Sequence, residues 1–353
     1  MPEKPSIKFS ILALDFHNTV YDEVMEYGLA IDEAIVIWLE AAQEKGKPLD
    51  REVLYRELSV AHRELGSDWD EEVWQQLPSL KSAGFSNDEF KAILNQAITA
   101  RHTKSRELTL SGVYKDAIET LKQLKKIGVR LYMVTEAAAD AGMRGLSWLG
   151  LNGVIDGIYT YPSRQSRLAC AGTCSRVFPE NADNTGCIKK PHPLLLAAVA
   201  LDDAKKTKNI PTAFELKDVF DLIYDQNNAL PEFPLSSSLQ KDITARLVVK
   251  NSPYKETLQQ TLDSMLYIGD SKFKDGFLAR NAGVTFGFAA YGKKIKAGEE
   301  QHFKKSEEIM YAVTGWDKDA LKLTQEASRA QAVQALQPDY TFEESLAEAL
   351  CLF

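Results

Sequence analysis

Polar side chains capable of nucleophilic and metal chemistry follow three apolar runs of the sequence. Asp15 follows the first run, Thr135 follows Val129–Val134, and Asp270 follows Met265–Ile268 after one glycine. Short apolar runs bounded by polar turn residues are typical of buried parallel strands, and parallel sheets hold ligands at the carboxyl ends of their strands. We therefore expect two carboxylates and a hydroxyl to meet at one sheet edge. Carboxylate oxygens there suit Mg²⁺, and Asp15 could be a nucleophile or a metal ligand.

Two longer stretches contain these aspartates in a recognisable order. The first is Asp15-Phe-His-Asn-Thr19, and the second is Gly269-Asp-Ser-Lys-Phe-Lys-Asp275, which leads into Asn281-Ala-Gly283. Together with Thr135, they resemble the motifs of the haloacid dehalogenase-like (HAD) superfamily, whose first motif is usually Asp-x-Asp-x-Thr. His17 stands where that family has its second aspartate, and this is the main departure from the pattern.

The resemblance implies Mg²⁺-dependent covalent phosphoryl transfer from a small phosphorylated substrate. Asp15 would be the nucleophile, and the transferring phosphoryl group would bind the hydroxyl of Thr135. Mg²⁺ would be held by Asp15, Asp270 and the backbone carbonyl of His17. Asp275 would orient the loop or a metal-bound water, although a carboxylate near a helix N-terminus can also be there for helix stability alone.

A catalytic lysine is also expected from the resemblance, and two stretches could supply it. Lys250 begins Lys-Asn-Ser-Pro-Tyr and Lys190 begins Lys-Pro-His-Pro. Because the family places this lysine one helix before its last motif, we predict Lys250 as the catalytic lysine and keep Lys190 as the alternative. Either one could instead be an ordinary surface charge.

His17 leaves several functions open. An unperturbed histidine has a pKa of about 6.5, so it could protonate a leaving alkoxide and later activate water. The competing hypothesis is a non-catalytic or weakly active HAD-fold protein that binds a phosphorylated ligand or a protein partner. A third, less favoured alternative is cleavage of a C–P or C–halogen bond, as in other HAD branches, although the retained Asp270 argues against a dehalogenase.

Two inserts divide the predicted core. Residues 22–106 show helical periodicity and a capping-box pattern, which predicts a helical cap, whereas residues 162–245 are rich in proline and predict a second insert of unknown role. The core would then comprise residues 1–21, 107–161 and 246–353. The predicted fold class is α/β, a Rossmann-like doubly wound parallel sheet with a helical cap and a second, partly irregular insert.

The second insert contains residues that bind zinc in other proteins. Cys170, Cys174, Cys187 and His192 have a spacing that could hold Zn²⁺, but the usual Cys-x-x-Cys pair is absent. Free thiols are therefore the favoured state of these cysteines.

The bulk composition excludes several classes of protein. With 353 residues, 44% apolar and 26% charged, the chain resembles a soluble globular protein. Its net charge of −8 argues against nucleic acid or a membrane surface as a partner. The N-terminus lacks the apolar core of a signal peptide, and no apolar run approaches the ~20 residues of a membrane span. We expect a cytoplasmic protein, and the sequence carries no signal for its oligomeric state.

Overall fold

The structure is a computed structural model that describes residues 8–65, 71–161, 176–177, 190–224, 237–314 and 336–353. These residues form two compact units. The first comprises the described parts of residues 1–21, 114–294 and 324–353, and the second comprises those of residues 22–113 and 295–323.

The secondary structure alternates strands and helices in the first unit and is helical in the second. The strands are β1 (Ile11–Leu14), β2 (Arg130–Ala138), β3 (Gly157–Tyr161), β4 (Arg176–Val177), β5 (Phe220–Tyr224), β6 (Ala245–Val249), β7 (Met265–Gly269), β8 (Thr285–Ala289) and β9 (Tyr340–Phe342). The α-helices are α1 (Glu23–Glu44), α2 (Arg51–Leu65), α3 (Glu71–Gln76), α4 (Pro78–Ser82), α5 (Asn87–Ser111), α6 (Ala117–Lys126), α7 (Ala139–Trp148), α8 (Leu194–Thr207), α9 (Leu216–Val219), α10 (Ser237–Thr244), α11 (Lys255–Asp263), α12 (Phe277–Ala282) and α13 (Glu300–Thr314).

A parallel sheet forms the centre of the first unit. Among the described residues its order is β4-β3-β2-β1-β7-β8-β9, and every neighbouring pair is parallel. Ala13 of β1 lies between Tyr132 of β2 and Tyr267 of β7. All four β1 residues are buried because the strand has neighbours on both sides and helices on both faces.

Each face of the sheet is covered by helices. On one face, Ala13 and Tyr267 belong to a buried cluster with residues of α8, α11 and α12. On the other face, Leu14 and Met133 share a small apolar space with Leu121 of α6 and Leu146 of α7. This arrangement confirms the predicted doubly wound α/β fold class.

The second unit is a helical bundle, as predicted for the cap. Trp38 of α1 stacks on Trp74 of α3 with ring centroids 6.1 Å apart, and both are fully buried. The predicted capping box is present: the Ser86 side chain accepts from the Glu89 N–H, and the Glu89 side chain accepts from the Ser86 N–H. In the part of the chain that is described, no helix has the length and apolarity needed to cross a membrane.

The predicted domain boundaries require correction at the end of α5 and at α13. Residues 107–113 were predicted to be part of the core, but they belong to the helical unit, because α5 continues to Ser111. Residues 246–353 were also predicted to lie wholly in the core, but α13 belongs to the helical unit. Ile309 and Val313 join its apolar cluster, and the Ser306 hydroxyl lies 2.6 Å from the Val24 carbonyl oxygen of α1. Gly28 permits this approach, because a Cβ there would lie 2.0 Å from the Ser306 carbonyl oxygen.

The predicted second insert, residues 162–245, requires another correction. Its described part from Lys190 onward belongs to the first unit, and α8 is buried along most of its length. The unbroken apolar run Leu194–Leu201 explains this burial, since a helix that is apolar on all sides must be enclosed. The antiparallel pair β5–β6 follows α8 and lies outside the large sheet.

Two glycines of α7 provide a matched test of the packing around β1. A Cβ at Gly145 would lie 2.5 Å from Cε1 of the buried Phe16 ring, whereas a Cβ at Gly142 would lie 3.4 Å from Met133 Cε. We expect Gly145→Ala to lower the free energy of unfolding by about 1–3 kcal/mol, because the ring must move within a packed core. Gly142→Ala should be neutral or stabilising by up to about 1 kcal/mol. Urea unfolding of both variants measures this, and equal effects would contradict the packing described.

Candidate functional site

Asp15 lies at the carboxyl end of the central strand, and its carboxylate is held in one orientation. Its backbone N–H donates to the Ile268 carbonyl of β7 at 2.8 Å, which fixes the backbone at the sheet edge. Its Oδ1 accepts from the Phe16 N–H at 2.7 Å. The side chain is buried, so that its charge must be compensated by other protein groups or by a bound cation.

Lys190 provides that compensation. Its Nζ lies 2.8 Å from Oδ1 of Asp15 and 2.8 Å from Oδ1 of Asp275, and its side chain is only 2% exposed. Lys190 is followed by Pro191 and then, from Leu194, by the buried helix α8. This helix packs against the sheet and anchors this part of the backbone. One buried ammonium therefore joins two buried carboxylates.

Asp275 is the most completely held of these groups. Its Oδ1 also accepts from the Tyr267 hydroxyl at 2.8 Å, and its Oδ2 accepts from the Ser271 N–H at 2.9 Å. Its side chain folds back over Gly269, where a Cβ would lie 2.3 Å from Asp275 Cγ. The glycine before Asp270 is therefore required by the close approach of the Asp275 carboxylate. With both oxygens occupied, Asp275 is suited to position Lys190 and the loop.

Asp270 completes a cluster of three carboxylates. Ligand atoms of Asp15, Asp270 and Asp275 all lie within 4.8 Å of one another, close enough to hold one metal ion. Asp270 Oδ2 also contacts the ammonium of Lys293, whose side chain is 56% exposed. Hard oxygen donors at this spacing fit Mg²⁺, which binds through one or two carboxylates and keeps several waters.

The electrostatics of the cluster favour an additional cation. Burial raises the pKa of Asp15 to about 7, with Lys190 opposing the shift and the Asp275 and Asp270 carboxylates adding to it. Burial likewise raises the pKa of Asp270, against the effect of Lys293. For Lys190, the two carboxylates outweigh burial and raise the pKa of its ammonium. The site therefore has a fixed positive charge and a surplus of carboxylates, an arrangement that a divalent cation would stabilise.

Thr135 lies in β2, the strand next to β1, and is buried. Its Oγ1 accepts from the Ala137 N–H at 3.1 Å, which orients the hydroxyl. The prediction that the strand ends at Thr135 was wrong, because β2 continues to Ala138 with an irregular register after Val134. The adjacent Glu136 pairs with Lys274, which lies in the π-helical turn Lys272–Gly276 that contains Asp275. This ion pair links the end of β2 to the loop after β7.

His17 lies in the tight turn that follows Asp15. The Asn18 N–H donates to the Tyr21 carbonyl at 2.7 Å, and Asn18 has a φ of 54°, in the left-handed region that asparagine tolerates. The His17 ring is half-buried beside the rings of Phe16 and Tyr21, with centroids 5.6 and 5.4 Å away. The turn and the two neighbouring rings define the position of His17 after Asp15, and its role in proton transfer stays a prediction.

The predicted placement of Lys250 at the site was wrong. Its Nζ lies 2.6 Å from the Lys217 carbonyl and 3.0 Å from Asp221 Oδ1, at the end of β6 outside the large sheet. The alternative, Lys190, is the lysine that contacts Asp15. The apolar run Leu194–Leu201 directly after Lys190 was the signal that could have identified it, since it marks a helix buried against the sheet.

Of the four predicted zinc ligands, only His192 lies among the described residues. Cys170, Cys174 and Cys187 lie outside the described residues. His192 is buried, and its Nδ1 accepts from the Leu194 N–H at 3.3 Å. Burial lowers the pKa of His192 to about 4, so its imidazole is neutral at pH 7. In this arrangement Nδ1 is the hydrogen-bond acceptor for the first residue of α8.

Comparison with known proteins finds similar solved structures. A haloacid dehalogenase-like hydrolase from Bacteroides fragilis is 14% identical, with 97% of this chain and 100% of that chain covered and a TM-score of 0.37. A HAD-hydrolase from Bacillus subtilis bound to magnesium is 14% identical, with coverages of 98% and 99% and a TM-score of 0.39. A 2-haloacid dehalogenase from Pseudomonas syringae is 15% identical, with 88% of this chain and 100% of that chain covered and a TM-score of 0.42. No family model and no curated protein matches the sequence. The functional assignment therefore rests on the residues of the site.

Removal of the Lys190 charge tests the buried ion cluster. We expect Lys190→Met to lower the free energy of unfolding by about 3–5 kcal/mol near about pH 8, because two buried carboxylates lose their counterion. Lys250→Met is the matched control, and its partly exposed pair with Asp221 should contribute about 1 kcal/mol or less. Chemical denaturation measures both. Equal, small losses would show that Lys190 does not hold the cluster together.

The raised pKa of Asp15 predicts a pH dependence of stability in protein freed of metal with EDTA. The pKa of Asp15 in the folded state is about 7, against an ordinary value of 3.8, so the folded state binds this proton more tightly. The stabilisation is complete below about pH 4 and is lost as the pH rises through about pH 7. The free energy of unfolding should fall from about pH 5 to about pH 8 more steeply in wild type than in Asp15→Asn. Parallel profiles would contradict the raised pKa.

Proposed function

We propose that this chain is a hydrolase of the HAD type, a Mg²⁺-dependent phosphatase that acts on a small phosphorylated metabolite through an aspartyl-phosphate. The observation that carries the proposal is the Lys190 ammonium between Asp15 and Asp275, within a carboxylate cluster that can hold a metal ion. The motif resemblance around Asp15 and Asp270 supports it. We further propose that the protein is cytoplasmic and has neither nucleic acid nor a membrane as a partner.

Asp15 is the proposed nucleophile. In the first step its carboxylate oxygen forms a bond to phosphorus as the bond from phosphorus to the leaving oxygen breaks. In the second step water attacks phosphorus, which releases inorganic phosphate and restores the carboxylate. The hydrogen bond from the Phe16 N–H and the contact with Lys190 support this role, because they fix the carboxylate before substrate arrives.

Lys190 and Thr135 are the proposed ligands of the phosphoryl oxygens. Negative charge on these oxygens must be stabilised by donors that are already oriented. The contact of Lys190 with Asp275 supports this role, since it holds the ammonium in place while Asp15 becomes phosphorylated. The burial of Thr135 in β2, the strand next to β1, supports a hydroxyl that is already held in place.

Asp15, Asp270 and the His17 carbonyl are the proposed ligands of Mg²⁺, with Asp275 orienting the loop that carries Asp270. When bound, Mg²⁺ would supply charge compensation between the Asp15 carboxylate and an anionic phosphoryl group. The pKa values of Asp15 and Asp270, raised by burial in spite of the neighbouring lysines, support such a site, because a further cation would stabilise both carboxylates in their charged form. The residues therefore fit the metal that the motif resemblance implies.

His17 is the proposed acid and base. Two residues after the nucleophile, its imidazole would protonate the leaving alkoxide in the first step and accept a proton from the attacking water in the second. The rings of Phe16 and Tyr21 beside it support a restrained orientation.

The alternative function is binding without turnover. It is favoured by one observation, the histidine at the position where the motif has an acidic residue. In that case the cluster would hold a metal and a phosphorylated ligand, and no phosphate would be released. Turnover that depends on metal distinguishes the two functions.

Activity against a panel of phosphorylated metabolites tests the proposal. We expect phosphate release by wild type in Mg²⁺ that stops in EDTA, and no measurable release by Asp15→Asn. The asparagine is nearly isosteric and keeps an oxygen acceptor but is not a competent nucleophile. Lys250→Met is the control and should release phosphate at the wild-type rate. Phosphate release by Asp15→Asn would remove Asp15 as the nucleophile.

Leaving-group dependence tests His17. We expect His17→Ala to lower kcat by about 10²–10⁴-fold with alkyl phosphates, whose leaving alkoxide needs a proton. The leaving group of p-nitrophenyl phosphate departs as a stable anion. With this substrate the rate of the first step should fall much less. Equal losses with both substrates would argue against His17 as the acid.

A further inference from the structure

A second lysine contacts the cluster, and the motif resemblance gives it no role. Lys293 follows β8 in the 3₁₀ turn Ala290–Lys293, and its Nζ contacts Oδ2 of Asp270. It differs from Lys190 in exposure, because the Lys293 side chain is 56% exposed whereas that of Lys190 is 2% exposed. Lys190 is enclosed between two carboxylates, whereas more than half of the Lys293 side chain is exposed to solvent.

The backbone that carries Lys293 is tightly fixed beside the site. The Tyr291 hydroxyl donates to the Thr19 carbonyl at 2.8 Å, and the Tyr114 hydroxyl donates to the Gly292 carbonyl at 3.1 Å. A Cβ at Gly292 would lie 1.9 Å from the Asn18 carbonyl oxygen, so only glycine permits this approach. The turn after β8 is thus packed against the turn after Asp15, and the base of the Lys293 side chain stays within reach of Asp270.

We propose that Lys293 is an internal competitor of the divalent cation at Asp270. The inference rests on the proposed metal site. The ammonium contacts one of the two oxygens of Asp270, and two like charges at one carboxylate repel each other. Binding of the cation at Asp270 therefore weakens or displaces the contact with Lys293. Lys293 lowers the affinity for metal and keeps Asp270 paired while metal is absent.

The charges of the cluster agree with an exchange of one cation for another. Without metal, three carboxylates share the two ammonium groups of Lys190 and Lys293. With a divalent cation and Lys190, the same carboxylates are neutralised without Lys293. The released ammonium remains at the edge of the site, because the turn Ala290–Lys293 holds its backbone there. At this edge it would meet an anionic substrate.

Calorimetric titration of full-length protein with Mg²⁺ tests the competition. We expect Lys293→Met, which keeps the aliphatic stem and removes the charge, to bind Mg²⁺ about threefold to tenfold more tightly than wild type. Lys293→Arg keeps the charge and should stay within about twofold of wild type. The matched control is Lys294→Met, because Lys294 is the next residue and pairs with exposed Glu344 at 2.9 Å. It should also stay within about twofold.

The outcomes separate this inference from the proposed function. Unchanged or weaker Mg²⁺ binding by Lys293→Met, with binding still lost in Asp270→Asn, would overturn the competition and leave the metal site in place. Equal gains in Lys293→Met and Lys294→Met would also overturn it, since they would reflect net charge alone. No Mg²⁺ binding by wild type or by Lys293→Met would overturn both the metal site and the competition.

Discussion

The Lys190 ammonium lies 2.8 Å from an oxygen of Asp15 and 2.8 Å from an oxygen of Asp275, with almost no exposure to solvent. Removing three charged groups from water is costly, and only close pairing and further hydrogen bonds offset that cost. The surrounding structure supplies them. Gly269 leaves room for the Asp275 carboxylate, the Tyr267 hydroxyl donates to it, and the buried helix α8 holds the backbone of Lys190.

The parallel sheet explains why these groups meet. β1 and β7 are neighbours, so that Asp15 and Asp270, just beyond their carboxyl ends, come together without any sequence proximity. The lysine and the last carboxylate then have to approach from loops, and each loop is fixed by a close backbone contact or a buried helix. A rigid arrangement of this kind favours chemistry at Asp15, since the reacting groups need little reorganisation.

Two strand ends were predictable because apolar runs that stop at a polar residue have a direct physical meaning. Asp15 and Asp270 follow their strands as expected, whereas Thr135 lies inside β2, which continues to Ala138. The doubly wound sheet followed from the order of the apolar runs. The lysine that contacts Asp15 was not identified from the sequence. β5, β6 and the helices between α8 and β7 separate Lys190 from the last motif, whereas Lys250 has the expected spacing. The membership of α13 in the helical unit depends on contacts such as Ser306 with Val24, which leave no periodic signal in the sequence.

The central claim is that Asp15 accepts a phosphoryl group with the help of Lys190 and a divalent cation. Beryllium fluoride tests it without knowledge of the substrate, because BeF₃⁻ bound to an aspartate mimics an aspartyl-phosphate. We expect protein-bound ¹⁹F NMR resonances in wild type with Mg²⁺, which disappear in EDTA and in Asp15→Asn and persist in Lys250→Met. Bound resonances that remain in Asp15→Asn, or their absence from wild type in Mg²⁺, would contradict it.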